Sequence, residues 1–241
     1  MKLFASHPEH KYLFILSPPY CGSTLMAQIL CTSKQVSINN TKGNWEGQQV
    51  KGVRKLMFDI PNRWSPELEL PWPKIKRVWR RSWNLNKPVL VDKSPPNIVR
   101  AAEIQNHFSP AYFILLIRDP LAFAEGLMRR NGWDKIRAAD FVLSAFRHQY
   151  ANIQSLERFI VLPYEQLAAD PEFVRNEVQR LIPELNDLDL NSEFPSHNFK
   201  KDKMGVVDLN EEKIQRLSKE DRSYLENRFR GSQEIAYFRY A

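Results

Sequence analysis

Three short polar clusters in this chain combine hydroxyl, amide and cationic groups as phosphate-binding sites do. They are residues 17–24 (SPPYCGST), 92–97 (DKSPPN) and 118–120 (RDP). Ser23 and Thr24 fall at the predicted start of a helix, where unsatisfied backbone N–H groups and a partial positive charge attract a phosphate. Gly22 lets the backbone wrap around that anion because it has no Cβ. Lys93 and Arg118 add two cations, so the set suits a ligand with more than one phosphate.

Each cluster follows directly on an apolar run, and these runs must bring the clusters together. Short continuous apolar runs are typical of buried parallel strands, which we predict over Tyr12–Leu16, Pro88–Val91, Ala111–Ile117 and Phe159–Leu162. Helical patterns separate the strands. We expect helices over Ser23–Leu30, Val50–Asp59, Ile75–Trp83 and Asn210–Arg230, and from Asp134 to Glu157. Another helix is expected to end at His107, and two more to begin after Pro120 and near Pro171. The composition of residues 33–46 predicts a loop, and residues 186–207 are polar.

Strands that alternate with helices predict an α/β fold. We expect a single doubly wound domain over residues 1–241, with a central parallel sheet flanked by helices, of the P-loop nucleotide-binding type. Parallel strands end at the same edge of such a sheet, where ligands bind. The three polar clusters are therefore expected to share one rim.

The formal net charge of +7 and the isoelectric point of about 9.4 favour an anionic partner. Charge alone does not choose among nucleic acid, anionic lipid and a phosphorylated small ligand; with the clusters above, we expect the small ligand and no nucleic acid. Cys21 and Cys31 lie about 15 Å apart if both are on the first helix, so we expect reduced thiols. The chain shows no membrane-spanning run and no secretory signal pattern, which predicts a cytoplasmic protein.

The first cluster resembles a P-loop but departs from the GxxxxGK[ST] pattern. Gly22 occupies the slot directly before Ser23, where that pattern has lysine, and no glycine precedes it by five. An ATP-hydrolysing site of the P-loop kind is therefore a poor fit. The alternative is an ordinary first β–α turn with a Ser or Thr cap, and this stretch by itself supports both interpretations.

Four segments in order carry a more specific resemblance. They are PPYCGSTL after the first strand, VDKSPPN, LLIRDPLAFAEGLMRR and LPYEQLAADP. With them, the chain resembles the sulfotransferases that use 3′-phosphoadenosine 5′-phosphosulfate (PAPS). The segments span most of the chain from Tyr12 to Pro171, and the first and third are the most characteristic of that family.

The resemblance implies transfer of a sulfuryl group from PAPS, as co-substrate and without a metal, to an acceptor hydroxyl or amine. Arg118 would bind the 3′-phosphate, with Arg130 at the spacing of a further arginine for it. Lys93 would neutralise charge on the departing phosphate oxygen, and Glu46 sits where related enzymes place a catalytic glutamate. The 5′-phosphosulfate would be gripped by the loop of Pro19, Tyr20, Cys21, Gly22, Ser23 and Thr24.

Two positions depart from the family pattern. Tyr20 replaces the usual lysine or arginine two residues before the loop glycine, which puts more weight on Lys93. Gly126 replaces the serine expected eight residues after Arg118, which removes one hydroxyl contact to the 3′-phosphate. Either departure is compatible with an altered enzyme or with a relative that only binds the nucleotide.

Several residues keep two interpretations. We assign Lys201 to the nucleotide as part of a basic flap with Lys200 and Lys203, and a solvated charge run is the alternative. The acceptor is expected against the variable stretches 33–83 and 186–207. Four tryptophans could line its cleft or belong to the core, namely Trp64, Trp72, Trp79 and Trp83. The alternative functions are a P-loop kinase of a small molecule, which would need magnesium, and a non-catalytic nucleotide or polyanion binder.

Overall fold

The computed structural model describes residues 9–41, 43–195 and 203–240, and its centre is a parallel sheet. Four of its strands match the predicted ones: β1 (Lys11–Leu16), β3 (Val89–Asp92), β4 (Ala111–Ile117) and β5 (Phe159–Pro163). A further strand, β2, lies at the edge, and the order across the sheet is β2-β3-β1-β4-β5. Helices flank the sheet, so the predicted α/β architecture is confirmed.

Strand β2 (Val36–Ile38) corrects the prediction of a loop over residues 33–46. Its three residues are too few to show a strand pattern among polar neighbours. The strand forms because β3 is available as a partner, with Val36 opposite Val89 and Ile38 opposite Val91. Tertiary pairing therefore creates this element.

The register of the strands brings the polar clusters to one edge. Phe14 of β1 lies opposite Asp92 of β3 and Phe113 of β4, and Leu16 lies opposite Leu115. The chain therefore leaves β1, β3 and β4 at the same edge of the sheet, directly into the phosphate loop (residues 17–24), Lys93 and Arg118.

Both faces of the sheet are covered, as the continuous apolar runs require. On one face Phe14 packs with aromatic residues, including Trp79 and Phe108, at ring-centroid distances of 6.4 and 5.0 Å. On the other face Leu13 and Ile15 pack among aliphatic side chains. The aromatic face contains three of the four tryptophans proposed for an acceptor cleft, which are buried core residues: Trp72, Trp79 and Trp83.

The helices lie close to their predicted positions along most of the chain. They are α1 (Ser23–Leu30), α2 (Arg54–Met57), α3 (Trp72–Ser82), α4 (Ala101–His107), α5 (Pro120–Asn131), α6 (Lys135–Ser155), α7 (Tyr164–Ala169), α8 (Pro171–Leu181), α9 (Asn210–Gln215), α10 (Lys219–Phe229) and α11 (Gln233–Tyr237). Asp134 caps α6 by accepting the N–H of Arg137, as predicted. Residues 194–195 and 203–204 form a short antiparallel pair, β6 (Phe194–Pro195) and β7 (Lys203–Met204).

Two helix predictions are wrong in extent. The expected helix over Val50–Asp59 contracts to α2, after a 3-10 turn at Gly47–Gln49. The expected helix over Asn210–Arg230 divides into α9, which ends at Gln215, and α10, which Ser218 caps by accepting the N–H of Asp221. A hydrophobic pattern continues across such a break, which is why the sequence does not reveal it.

Candidate active site

A cavity of about 490 Å³ at the carboxyl edge of the sheet gathers most of the predicted site residues. Thr24, Lys93 and Arg118 all line it, as one shared ligand requires. Cys21 does not, because its side chain is fully buried, and burial raises the pKa of its thiol to about 12. Lys201 lies outside the described residues. The other predicted residues on the cavity wall are Pro19, Tyr20, Gly22, Ser23, Glu46 and Arg130.

The phosphate loop connects β1 to α1 through Gly22. This residue has a φ of 91°, a left-handed conformation that costs glycine little, and a Cβ there would lie 2.6 Å from Cδ2 of Tyr164. Ser23 and Thr24 begin the helix inside its first turn, and no described side chain caps this end. The interpretation of an ordinary Ser or Thr cap is therefore wrong, and the first-turn N–H groups remain available to an anion.

Lys93 forms the centre of what we name the transfer cluster, consisting of Thr24, Glu46 and Lys93. Its Nζ donates to Oγ1 of Thr24 at 3.1 Å and lies 3.5 Å from Oε1 of Glu46. The side chain is 3% exposed, and burial lowers the pKa of its ammonium group while the charge of Glu46 opposes that shift. A buried cation and a carboxylate therefore share the cavity with the start of α1.

A second set of contacts holds Glu46 in place, and sequence reasoning missed it. Asp92 is fully buried and accepts the N–H of Gly47 at 2.9 Å, while Nε1 of Trp79 donates to the Gly47 carbonyl at 3.0 Å. The next N–H, of Gln48, donates to Oγ of Ser94 at 2.9 Å. The backbone after Glu46 is thus fixed to the turn that carries Lys93, and burial raises the pKa of Asp92 to about 6.

Arg118 is held in one orientation by three neighbours. Its Nε donates to Oδ1 of Asn210 at 2.6 Å, its Nη1 donates to the carbonyl of Tyr20 at 2.9 Å, and its guanidinium lies 3.7 Å from the ring centroid of Tyr164. Its Nη2 is buried and has no hydrogen-bond partner among the described residues. A buried donor without a partner is costly, so this atom indicates a ligand that accepts from it.

The two departures from the family pattern meet in space. A Cβ on Gly126, in the middle of α5, would lie 2.9 Å from Cβ of Tyr20 and 3.1 Å from its Cγ. Tyr20 itself has a φ of 64°, and its hydroxyl donates to Oδ1 of Asn131 at 2.6 Å. Glycine inside a helix costs about 1 kcal/mol relative to alanine. Here the absence of a side chain at Gly126 allows Tyr20 to lie directly against α5, so the two departures form one structural change.

Tyr164 and Glu165 fasten the end of β5 to the site. Glu165 accepts the N–H of Asp119 at 2.9 Å and also contacts Asn210 and Tyr240, each at 2.5 Å. Tyr164 lies under Arg118 and also lines the cavity, so its ring both supports the site and borders the ligand space.

One part of the remaining cavity wall is aromatic. Trp64 packs edge-on against Phe141 at 5.1 Å between ring centroids, and Trp133 packs against the same ring at 5.4 Å. Phe58 belongs to this wall as well. Of the four tryptophans considered for an acceptor cleft, Trp64 is the one that lines the cavity. Trp133 and Phe141 lie outside the stretches where the sequence predicted acceptor contacts.

The described residues show neither a metal-binding group nor a membrane-spanning helix. Within residues 9–41, 43–195 and 203–240, no group of three or more His, Cys, Asp or Glu side chains is arranged to hold a metal ion. Among the helices in those ranges, none has the length and apolar character needed to span a bilayer.

Solved structures with a similar fold include sulfotransferases. The domain from the olefin synthase of Synechococcus PCC 7002 is 22% identical, with 93% of this chain and 96% of that chain covered and a TM-score of 0.53. The domain from the curacin biosynthetic pathway is 17% identical, with 92% and 98% covered and a TM-score of 0.54. Sulfotransferase STF1 from Mycobacterium tuberculosis H37Rv is 12% identical, with 93% and 78% covered and a TM-score of 0.60.

The structural similarity shows a shared fold. The family is shown by a match at the level of sequence. Among curated proteins, none matches this sequence. The sequence profile of the sulfotransferase family matches residues 13–186, which is well over half of the chain. That segment contains the phosphate loop, Lys93 and Arg118, which the structure brings to one cavity. This chain belongs to the sulfotransferase family.

Proposed function

We propose that this protein transfers a sulfuryl group from PAPS to an acceptor hydroxyl or amine and releases adenosine 3′,5′-bisphosphate. The observation that carries the proposal is the cavity that joins two differently charged regions. One is the transfer cluster, where Lys93 lies between Thr24 and Glu46. The other is Arg118, which has a buried donor without a described partner. A donor with a phosphosulfate at one end and a 3′-phosphate at the other fits both.

The bond that breaks joins sulfur to the bridging oxygen of the donor, and negative charge develops on that oxygen. Lys93 and the first N–H groups of α1 are the groups that would stabilise it, since donors fixed in advance toward developing charge lower the barrier. Tyr20 supplies no cation to this oxygen. The ammonium group of Lys93, buried against Thr24, is therefore the principal source of positive charge in the transfer cluster.

The acceptor oxygen or nitrogen forms the new bond to sulfur and loses its proton. Glu46 is the proposed base, since a carboxylate at this position could take that proton as the bond forms. Its Oε2 accepts from Nε2 of Gln48 at 2.6 Å and of Gln49 at 3.1 Å, which leaves Oε1 toward Lys93. We assign the acceptor to the aromatic wall, where Phe58, Trp64 and Phe141 offer apolar surface beside the transfer cluster.

The test uses purified protein, PAPS labelled in its sulfuryl group and a pool of hydroxyl and amine acceptors. We expect the wild-type protein to bind PAPS and to label an acceptor without added metal. Glu46→Gln should bind adenosine 3′,5′-bisphosphate normally while transfer falls by roughly 10²–10⁴-fold, the range for loss of a general base. Glu69→Gln is the matched control, because Glu69 is an exposed residue of the same part of the chain.

The same assay separates the alternative functions. Absence of both PAPS binding and transfer would overturn the proposal. Magnesium-dependent turnover of ATP would favour a small-molecule kinase instead. Tight binding of the bisphosphate by wild-type protein, with no labelled acceptor in any pool, would favour a nucleotide-binding relative without activity.

A further inference from the structure

Lys213 is a buried cation that lines the same cavity as Arg118 and that the sequence patterns did not point to. It lies on α9, outside the segment matched by the family profile. Its side chain is 6% exposed, and its Nζ donates to the carbonyl of Ala122 at 3.3 Å. A lysine rarely lies this deep in a protein unless an anion compensates its charge.

The described residues compensate that charge incompletely. Glu125 is 3% exposed, and its Oε2 lies 3.9 Å from Nζ of Lys213. The same carboxylate lies 2.5 Å from Nε of Arg129 and 3.7 Å from Arg216. Arg216 is also paired with Glu212 on the surface of α9, so it is compensated separately. The single negative charge of Glu125 is therefore shared between Arg129 and Lys213.

Arg118 and Lys213 are linked through the start of α9. Asn210, in the first turn of α9, accepts from Nε of Arg118 at 2.6 Å, and Lys213 follows one helical turn later. We name Arg118, Glu125, Arg129 and Lys213 the anchoring cluster. It contains three cations and one carboxylate, and the neighbouring carboxylate of Asp119 interacts with Arg118, so the cations still outnumber the carboxylates. Nη2 of Arg118 also has no described partner. A phosphate monoester carries nearly two negative charges at neutral pH.

We propose that Lys213 binds the 3′-phosphate of the donor together with Arg118, so that α9 completes the nucleotide site. This inference rests on the proposed function, because it assigns a part of the same donor. Arg118 is already bonded on two of its nitrogens, which leaves the 3′-phosphate short of donors without a second cation. Lys213 supplies that cation from a part of the chain about ninety residues away in sequence.

The test compares two nucleotides that differ by one phosphate. Calorimetric titration of the full chain with adenosine 3′,5′-bisphosphate and with adenosine 5′-phosphate measures how much affinity the 3′-phosphate adds. We expect Lys213→Met to reduce that gain by roughly 10- to 100-fold, the loss of one hydrogen bond to a charged group, and to leave binding of the 5′-phosphate unchanged. Lys219→Met is the control, because Lys219 is exposed on α10.

The pH dependence of bisphosphate affinity is a second test, because a purely structural role of Lys213 would not produce it. Burial, and then the charge of Arg118, lower the pKa of Lys213 to about 8, with Glu125 and Cys21 opposing the shift and Arg129 adding to it. The thiol of Cys21 stays neutral in this range, because its pKa is raised to about 12. A phosphate favours the charged amine, so bisphosphate affinity should fall as the pH rises from 8 to 9. Lys213→Arg should keep the affinity and lose the pH dependence, since arginine stays protonated.

The outcomes are distinct. A bisphosphate preference that survives Lys213→Met, or a flat pH profile in the wild-type protein, overturns the role of Lys213 and leaves the proposed function standing. A wild-type protein that binds both nucleotides equally overturns the proposed function itself. If Lys213→Met does not fold, the test compares how bisphosphate affinity depends on pH in Lys213→Arg and in wild type. Loss of the dependence in Lys213→Arg supports the role of Lys213, and an unchanged dependence overturns it.

Discussion

The transfer cluster and the anchoring cluster use buried lysines in opposite ways. Lys93 lies beside Glu46 and accordingly has a carboxylate of its own, so its charge is balanced before any ligand binds. Lys213 shares Glu125 with Arg129, and it lies near Arg118, whose charge further lowers its pKa. One end of the cavity is therefore neutral overall, whereas the other has an excess of positive charge.

This difference follows from the two tasks of a group-transfer site. Binding energy comes from charges that lack a partner until the ligand arrives, because those already paired have little to gain. A reaction instead needs groups that respond to charge and protons as bonds change, and a fixed lysine–glutamate pair supplies both signs at one place. Changes in the transfer cluster should consequently lower the transfer rate, whereas changes in the anchoring cluster should lower the affinity for the nucleotide.

Among changes at Lys93, Arg118 and Gly126, the largest effect is expected at Lys93, because its loss breaks the transfer cluster. Lys93→Met should slow formation of adenosine 3′,5′-bisphosphate by roughly 10²–10³-fold, since it removes the cation aimed at the leaving oxygen. Affinity for PAPS without an acceptor should change little, because that oxygen gains its charge only as the bond to sulfur breaks. Initial rates and calorimetric titration measure the two quantities. Lys74→Met is the control, because Lys74 is exposed on α3. An equal loss in rate and affinity would mean that both ends of the cavity bind the donor alike.

An intermediate effect is expected at Arg118. Arg118→Lys keeps the charge but loses the planar guanidinium that bonds Asn210 and the Tyr20 carbonyl, so bisphosphate affinity should fall by about 10- to 100-fold. The maximal transfer rate at saturating PAPS should change by much less. Arg81→Lys on the exposed side of α3 is the matched control. Unchanged affinity in Arg118→Lys would refute the assignment of this residue to a phosphate.

The smallest effect is expected at Gly126, where Tyr20 of the phosphate loop packs against α5. Gly126→Ala should push against Tyr20 and weaken bisphosphate binding by about fivefold to tenfold, the lower end of the usual 1–3 kcal/mol cost of overpacking. Tyr20→Gly removes the opposing Cβ and suits the φ of 64°, so the double variant should recover most of the loss. Binding titrations of all four proteins give the coupling between the sites. Additive effects would show that Tyr20 and Gly126 are independent.

The sequence predicted the sheet and much of the cavity for a simple reason. The strands, the turn at Gly22 and the helix start at Ser23 depend on residues close together along the chain, and parallel strands then deliver Lys93 and Arg118 to one edge. Strand β2 escaped prediction because its three residues carry no pattern of their own. The division between α9 and α10 escaped because amphipathic spacing continues through Ser218, whose capping role depends on the geometry of the turn.

Residue types, their order and their local spacing were enough to determine the α/β architecture, the phosphate loop and the cations that follow the strands. The tertiary structure alone decided which distant groups complete the site. Asp92 holds Gly47 across 45 residues, and Arg118 contacts Asn210 across 92. Such pairs leave no periodic trace, because a hydrogen bond or a shared charge depends on where two segments meet in space. For the same reason Tyr20 and Gly126, two unrelated departures in the sequence, became one contact only when the chain was folded.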